Sequence, residues 1–184
     1  MPELLDPGQT VKAIDNDFIQ RMHQSLDDLY DAAAFSRQNK VTLNQFLDEQ
    51  KRRLALTPSI WPTRGWLSSR FGQRVSPFTG KKEFHEGIDI STRMSAPIVV
   101  TADGHVAFSG WERGYGRVIR IDHGHGLESK YAHLKKSLVK KGQRVKRGET
   151  IGLVGNSGRT TGSHLHYEVH RNGQPVNPLR YILE

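Results

Sequence analysis

The amino-acid sequence predicts an α+β protein, with a helical N-terminal region followed by a mainly antiparallel, β-sandwich-like domain. Two observations predict this class. Residues 10–56 repeat apolar side chains at three- and four-residue steps, the period of an amphipathic helix. From Trp61 onward, short β-branched runs alternate with glycines, as in APIVVTADGHVAFSGW and ETIGLVGNSG, which is typical of an all-β domain with many turns. We therefore divide the chain into residues 1–60 and residues 61–184.

The N-terminal region is predicted to form a helical hairpin or a short coiled coil. An apolar stripe runs from Ile14 to Ala33, and the sequence at 38–40, Gln-Asn-Lys, resembles a break. Thr42 is then expected to cap a second helix, which ends before Pro58. Such a stripe usually packs against a neighbour, so the predicted roles of this region are inhibition of the following domain, dimerisation or binding of a partner protein, or spacing from a membrane anchor.

Composition excludes several classes of protein. The chain has no cysteine, which rules out disulfides and thiolate zinc sites, so any metal must be held by His, Asp and Glu. No run approaches the roughly 18 apolar residues of a membrane span. The N-terminal sequence MPELLDPGQTVKAIDNDF has neither a basic segment nor an apolar core, so we expect no secretory signal within this chain.

The charge is unevenly distributed. Residues 1–60 carry 7 Lys+Arg against 9 Asp+Glu, a balance of −2, whereas residues 61–184 carry 20 against 10, a balance of +10, and together these give the net charge of +8. A basic second half suits an anionic partner such as an acidic cell-wall polymer. Nucleic acid is not expected, because aromatic residues are not interleaved with the basic ones as base stacking requires. The predicted basic face comprises Lys135, Lys136, Lys140, Lys141, Lys146 and Arg147.

Two separated motifs carry side chains that bind metals. In KKEFHEGIDIST, His85 and Asp89 form the pattern H-x-x-x-D, and Asp89 lies between two isoleucines that would face the opposite side of a strand. In TGSHLHYEVH, His164 and His166 share one strand face while the residue between them faces the core. The sequence YAHL adds His133, which on a continuous strand would share a face with the tyrosine two residues earlier.

This combination suits zinc where sulfur is unavailable. Three ligands drawn from His and carboxylate, with a fourth position open to water, are typical of a catalytic zinc site. His85, Asp89 and one histidine of the His-x-His pair would supply them, and the other would lie beside the water with His133. Imidazoles placed there could accept the proton of the water and stabilise an oxyanion. The sequence contains no H-E-x-x-H, which excludes the helix-borne metalloprotease arrangement.

The segments HEGIDI, YAHL and GNSGRTTGSHLHYEV resemble the three signature segments of the M23 (lysostaphin/LytM-type) metallopeptidases, over about residues 61–184. The resemblance implies one zinc ion held by His85, Asp89 and His166. It also implies that His133 and His164 are the catalytic pair beside the water. A groove in a β-sheet, floored by these residues, would hold the substrate peptide.

The activity implied by this resemblance is zinc-dependent hydrolysis of peptide cross-links in bacterial peptidoglycan by a zinc-activated water. The substrates would be peptidoglycan stem peptides, and the location would be the cell envelope, periplasmic or extracellular. Both glycyl-glycine and D-alanyl-diaminopimelate links are substrates in the family. The alternative is a non-catalytic LytM-type regulator that binds and activates another hydrolase, although all five functional positions are filled here.

Other residues receive less specific interpretations. His170 is expected to be a bystander near the rim of the site, and His123 and His125 are expected in a hairpin turn. Tyr115, flanked by glycines, is expected to be exposed and is a candidate substrate contact. The segment VKKGQRVKRGETIGLVGN resembles the hairpin of lipoyl and biotinyl carriers, but it lacks their flanked, modifiable lysine.

Overall fold

The computed structural model describes residues 7–183, with the backbone alone for residues 7–15 and 17. The chain divides into two compact units, Met1–Gln50 and Lys51–Glu184. The described part contains one α-helix, thirteen strands and a final 3₁₀ turn at Pro178–Arg180. The elements are α1 (Pro7–Leu56), β1 (Trp66–Ser69), β2 (Gly72–Val75), β3 (Lys82–His85), β4 (Ile88–Ser91), β5 (Pro97–Val99), β6 (Gly104–Glu112), β7 (Gly116–Gly124), β8 (Leu127–Ala132), β9 (Leu134–Ser137), β10 (Arg144–Val145), β11 (Thr150–Val154), β12 (His164–Arg171) and β13 (Gln174–Val176).

The predicted helical hairpin is wrong: α1 is one continuous helix of 50 residues. The sequence at 38–40 contains neither Gly nor Pro, and both Gln and Lys favour helix, so nothing there breaks the hydrogen-bond ladder. Thr42 does not cap a second helix, because its hydroxyl donates to the carbonyl oxygen of Gln38 at 3.1 Å, one turn back in the same helix. The helix ends before Pro58, as predicted.

The apolar stripe of α1 is exposed along its described length. Phe18 is 65% exposed and Leu29 66% exposed. No helix in residues 7–183 is long and apolar enough to cross a membrane. A role for residues 10–56 in dimerisation or partner binding stays a prediction.

The β unit consists of two packed antiparallel sheets and a small hairpin, which confirms the predicted α+β class with a sandwich-like domain. The main sheet has eight strands in the order β1-β4-β12-β8-β7-β6-β10, with β13 beside β12. The second sheet has the order β5-β11-β9, and β2 pairs with β3 alone. The core lies between the two sheets and includes Ile88, Ile98, Ile119, Ile151 and Leu165, each 0% exposed.

A buried hydroxyl network crosses this core. The side chain of Thr101 lies 3.0 Å from the hydroxyl of Tyr131 and 2.9 Å from that of Tyr167, within hydrogen-bond distance of both. Ser129 continues the network from Tyr131 to Nε2 of His123. His123 is therefore a buried strand residue whose polar atoms are satisfied, not the turn residue that the sequence suggested.

Candidate metal centre and active site

Three side chains from the two predicted motifs meet at one point beside the main sheet. Nε2 of His85 lies 3.2 Å from Oδ1 of Asp89, and Nδ1 of His166 lies 2.8 Å from the same oxygen. The two ring nitrogens are 3.1 Å apart. These are the three residues that the sequence motifs and the M23 resemblance predict as metal ligands.

The local sequence explains how they meet. β4 and β12 pair antiparallel with Asp89 opposite His166, so strand alternation directs both side chains to the same face. Ile88 and Ile90 point the other way, into the core, as predicted. His85 ends β3, in a different sheet, and reaches the site over a bend at Gly87, where any Cβ would collide with the carbonyl oxygen of Tyr167. Glycine is therefore required at this bend by close approach of the backbone.

Hydrogen bonds fix which nitrogen of each ring faces the centre. Nδ1 of His85 lies 2.8 Å from the carbonyl oxygen of Arg70, and Nε2 of His166 lies 2.8 Å from the carboxylate of Glu168. Carbonyl and carboxylate oxygens only accept, so each of these nitrogens carries the proton. In neutral rings the opposite nitrogens then present lone pairs to each other and to Asp89.

Three acceptor atoms that face one another require a cation between them, and this donor set fits a metal ion. Ligand atoms bound about 2.0–2.1 Å from a tetrahedral zinc lie about 3.3 Å apart, close to the separations found here. The electrostatics agree. Burial alone would lower the pKa of His166, but its hydrogen bonds with Asp89 and Glu168 raise it overall, so the site attracts positive charge.

Arg74 completes the surroundings of Asp89. Its Nη1 donates to Oδ2, the carboxylate oxygen that does not face the two imidazoles, at 2.7 Å. Burial alone would raise the pKa of Asp89, but its close contacts with the imidazoles of His166 and His85 lower it well below its ordinary value. Asp89 is therefore ionised across the physiological range and is held in one orientation by the guanidinium group.

The two other predicted site residues lie beside this cluster. The rings of His133 and His164 have centroids 4.8 Å apart. Nδ1 of His133 donates to the carbonyl oxygen of Ser157 and Nδ1 of His164 to that of Gly162, each at 2.8 Å. In neutral rings, both Nε2 atoms are then free to accept a proton. Burial lowers the pKa of His133 to about 4.

The backbone of His133 explains its position. β8 ends at Ala132, and His133 has φ of 61°, in the left-handed region. The expectation that it shares a strand face with Tyr131 is wrong, because this turn sends His133 to the site while Tyr131 remains in the core. A non-glycine residue in this region is uncommon, and such conformations cluster at functional sites.

An extended groove runs past the cluster. One cleft of about 360 Å³ contains the ligand residues together with His133 and Tyr115. A second, of about 380 Å³, adjoins it at Asp89 and His164 and continues towards Ser68. The two clefts share Asp89 and His164, so together they offer a peptide more space beside the cluster than either offers alone.

Sequence reasoning missed the residue that holds His166. Glu168 is 0% exposed and bridges His166 and His170, whose Nε2 lies 2.6 Å from the second carboxylate oxygen. His170 therefore contacts the site through Glu168. The available signal was the two-residue period of HLHYEVH, which places His164, His166, Glu168 and His170 on one strand face.

The predicted basic face is exposed in the structure, whereas Tyr115, which was expected to be exposed, is partly buried. All six basic residues are exposed, and binding of an anionic polymer there stays a prediction. Tyr115 is partly buried and lines the first cleft, with its ring centroid 5.5 Å from that of His166. It therefore faces any substrate that occupies the groove.

Comparisons with known proteins converge on one family. The model of peptidase family M23 matches residues 83–178. The DD-carboxypeptidase/endopeptidase Mpg of Neisseria meningitidis serogroup B is 44% identical over 117 residues, covering 64% of this chain and 27% of the relative. The peptidoglycan DD-endopeptidase ShyA of Vibrio cholerae serotype O1 is 42% identical over 115 residues, covering 62% of this chain and 27% of the relative.

A solved structure agrees with these relatives. The crystal structure of a zinc-containing peptidase from Vibrio cholerae aligns with a TM-score of 0.64 and 37% identity, over 70% of this chain and 41% of that one. The present chain spans about a quarter of the length of the two curated relatives.

Proposed function

Because the chain belongs to peptidase family M23, we propose that it is a zinc-dependent endopeptidase that hydrolyses peptide cross-links of bacterial peptidoglycan in the cell envelope. The observation that carries this proposal is the convergence of five side chains in one groove. Three of them present lone pairs to a common point, and His133 and His164 present theirs beside it. The site fits one metal ion per chain, held by His85, Asp89 and His166.

The zinc ion, when bound, would supply a Lewis acid that lowers the pKa of water and polarises the scissile carbonyl. The imidazoles of His133 and His164 would handle the proton. Since both Nδ1 atoms donate to backbone carbonyls, proton transfer occurs at Nε2 in each ring. The ring that takes the proton from the attacking water becomes an N–H donor to the developing oxyanion, and it later returns the proton to the leaving amine.

We propose cleavage within a polypeptide rather than removal of a terminal residue, because the second cleft adjoins the first at Asp89 and His164 and lengthens the space open to a peptide. For the bond, we propose the DD-type cross-link, the class named for the Vibrio cholerae relative. Pentaglycine cross-links are the alternative substrate.

The test uses two purified cross-linked muropeptides, one with a D-alanyl-diaminopimelate link and one with a pentaglycine link, and identifies products by mass. We expect the first to be split by the zinc-loaded protein. His85→Ala should lose both metal and turnover. His133→Asn should keep the metal and lose turnover by about 10²–10⁴-fold, the usual contribution of a general base, and asparagine tolerates the left-handed backbone at this position.

Three other results would each contradict a different part of the proposal. Cleavage of the pentaglycine link alone would change the substrate, and full activity after removal of the metal would contradict the zinc mechanism. Stoichiometric zinc binding without turnover of either muropeptide would favour the non-catalytic regulator.

A further inference from the structure

The face of β12 that carries the two proposed site histidines also carries a second pair of ionisable groups. Strand alternation places Glu168 and His170 after His164 and His166 on this face. The carboxylate of Glu168 has no part in the reaction proposed above, yet its side chain is 0% exposed. A buried carboxylate costs free energy unless its charge is compensated, so its position at this point requires a reason.

Three groups compensate Glu168. Its Oε1 lies 2.8 Å from Nε2 of His166 and 3.7 Å from Nζ of Lys130, and its Oε2 lies 2.6 Å from Nε2 of His170. Lys130 is itself held by Glu112, at 3.2 Å. These contacts fix both carboxylate oxygens, so Glu168 is a rigid acceptor rather than a flexible surface group.

The rigid acceptor selects one tautomer of His166. With its proton held on Nε2 by Glu168, the ring has its lone pair on Nδ1, the nitrogen that faces Asp89 and His85. Without Glu168, the neutral ring could place its proton on Nδ1, and the lone pair would then point away from the other two ligands. A hydrogen-bonded carboxylate also makes the imidazole a stronger donor to a metal.

We propose that Glu168 is a positioning residue that orients His166 and sets the affinity of the metal site, with His170 and Lys130 holding Glu168 in place. This inference rests on the proposed metal-ligand role of His166. It does not depend on which bond is cut.

The test measures zinc binding by the whole 184-residue chain in competition with a chromophoric chelator. Glu168→Gln is nearly isosteric and removes the charge, and we expect it to weaken zinc binding by about 10–100-fold, as is typical for outer-shell partners of metal-bound histidine. The matched control is Glu128→Gln. Glu128 lies opposite His170 on the adjacent strand and its carboxylate lies near Arg120, so the same charge change should leave zinc affinity within about twofold.

A second readout separates positioning from a general loss of stability. Nitrogen-15 NMR of the histidine side chains, in the metal-free chain, should show His166 with its neutral-form proton on Nε2 in the wild type. In Glu168→Ala the spectrum should show a mixture of the two tautomers, while the folded fraction is monitored by circular dichroism. If Glu168→Ala does not fold, the zinc affinity of Glu168→Gln decides the question.

Zinc affinity of Glu168→Gln within twofold of the wild type would overturn the inference, as would an unchanged tautomer in folded Glu168→Ala. The outcome is separable from that for the proposed function. If the wild type binds zinc in a Glu168-dependent way but cleaves neither muropeptide, the positioning role stands and the peptidase proposal fails. If the wild type cleaves a muropeptide and Glu168→Gln retains full zinc affinity, the peptidase proposal stands and the positioning role fails.

Discussion

Histidine 133 is expected to remain neutral well into the acidic range. Burial lowers its pKa to about 4, although the hydrogen bond with the carbonyl of Ser157 opposes this, and electrostatic interaction with the neighbouring imidazole of His164 lowers it further. Compared with about 6.5 for a free imidazole, the change corresponds to about 3 kcal/mol against the charged form. At pH 5 about nine molecules in ten would have Nε2 of His133 unprotonated, against about three in a hundred for an unperturbed histidine.

The pKa of His133 also predicts the sign of a stability change. The unfolded chain takes up a proton at this residue below about pH 6.5, whereas the folded chain does so only near pH 4. The folded state therefore loses stability as the pH falls from 6.5 towards 4, by an amount on the order of 3 kcal/mol at the lower end.

Two measurements check this prediction. In nitrogen-15 NMR of the histidine side chains, the signal absent from His133→Asn identifies His133, and its midpoint of titration should lie near pH 4. Urea unfolding of the metal-free chain at pH 7 and pH 4.5 should show a smaller loss of stability in His133→Asn than in the wild type. A midpoint near 6.5 would refute the reasoning from burial, and so would equal losses in the two proteins.

Three substitutions test other parts of the structure. Gly87→Ala would place a methyl group against the carbonyl oxygen of Tyr167, so the melting temperature and the zinc affinity should both fall; an unchanged protein would contradict the close approach. Thr101→Val removes the hydroxyl that lies between Tyr131 and Tyr167, and urea unfolding should show a loss of about 1–3 kcal/mol, the cost of buried polar groups left unpaired. Arg74→Gln should weaken zinc binding by about tenfold or more, because a charged hydrogen bond contributes about 1.5–3 kcal/mol. Competition with a chelator measures this affinity, and a value equal to that of the wild type would show that the guanidinium group is not needed.

Local periodicity predicted the faces of the strands but not their order. Ile88 and Ile90 face the core and Asp89 the site because side chains alternate on any strand, whichever neighbour it has. Asp89 meets His166 across 77 positions of sequence, and such a pairing depends on the packing of the whole sheet. The predicted break at residues 38–40 is wrong for a local reason: this triplet is polar, but every residue in it can continue a helix.

The candidate site was predictable where chemistry limits the choice of residue, and not where packing decides. Without cysteine, the motifs with histidine and aspartate were the available nitrogen and oxygen ligands. Glu168 was missed because a glutamate on a strand is ordinarily solvent-exposed, and only the folded sheet shows that it is buried. His133 was predicted on the wrong face because its strand ends at Ala132 and His133 itself has a positive φ. Nothing in the sequence YAHL indicates this change of backbone conformation.

The two histidines of the His-x-His pair illustrate how identical residues on one face acquire different proposed roles. His164 donates from Nδ1 to the carbonyl oxygen of Gly162, so its Nε2 is left as the free base. His166 donates from Nε2 to Glu168, so its Nδ1, the nitrogen nearer the backbone, is left for the metal. The backbone-proximal nitrogen places the lone pair close to the sheet surface, where Asp89 lies directly opposite on β4. The distal nitrogen of His164, Nε2, lies 3.8 Å from Oδ1 of Asp89, beside the three facing ligand atoms. The hydrogen-bond partners behind the two rings therefore determine which nitrogen of each ring is left free, Nε2 in His164 and Nδ1 in His166.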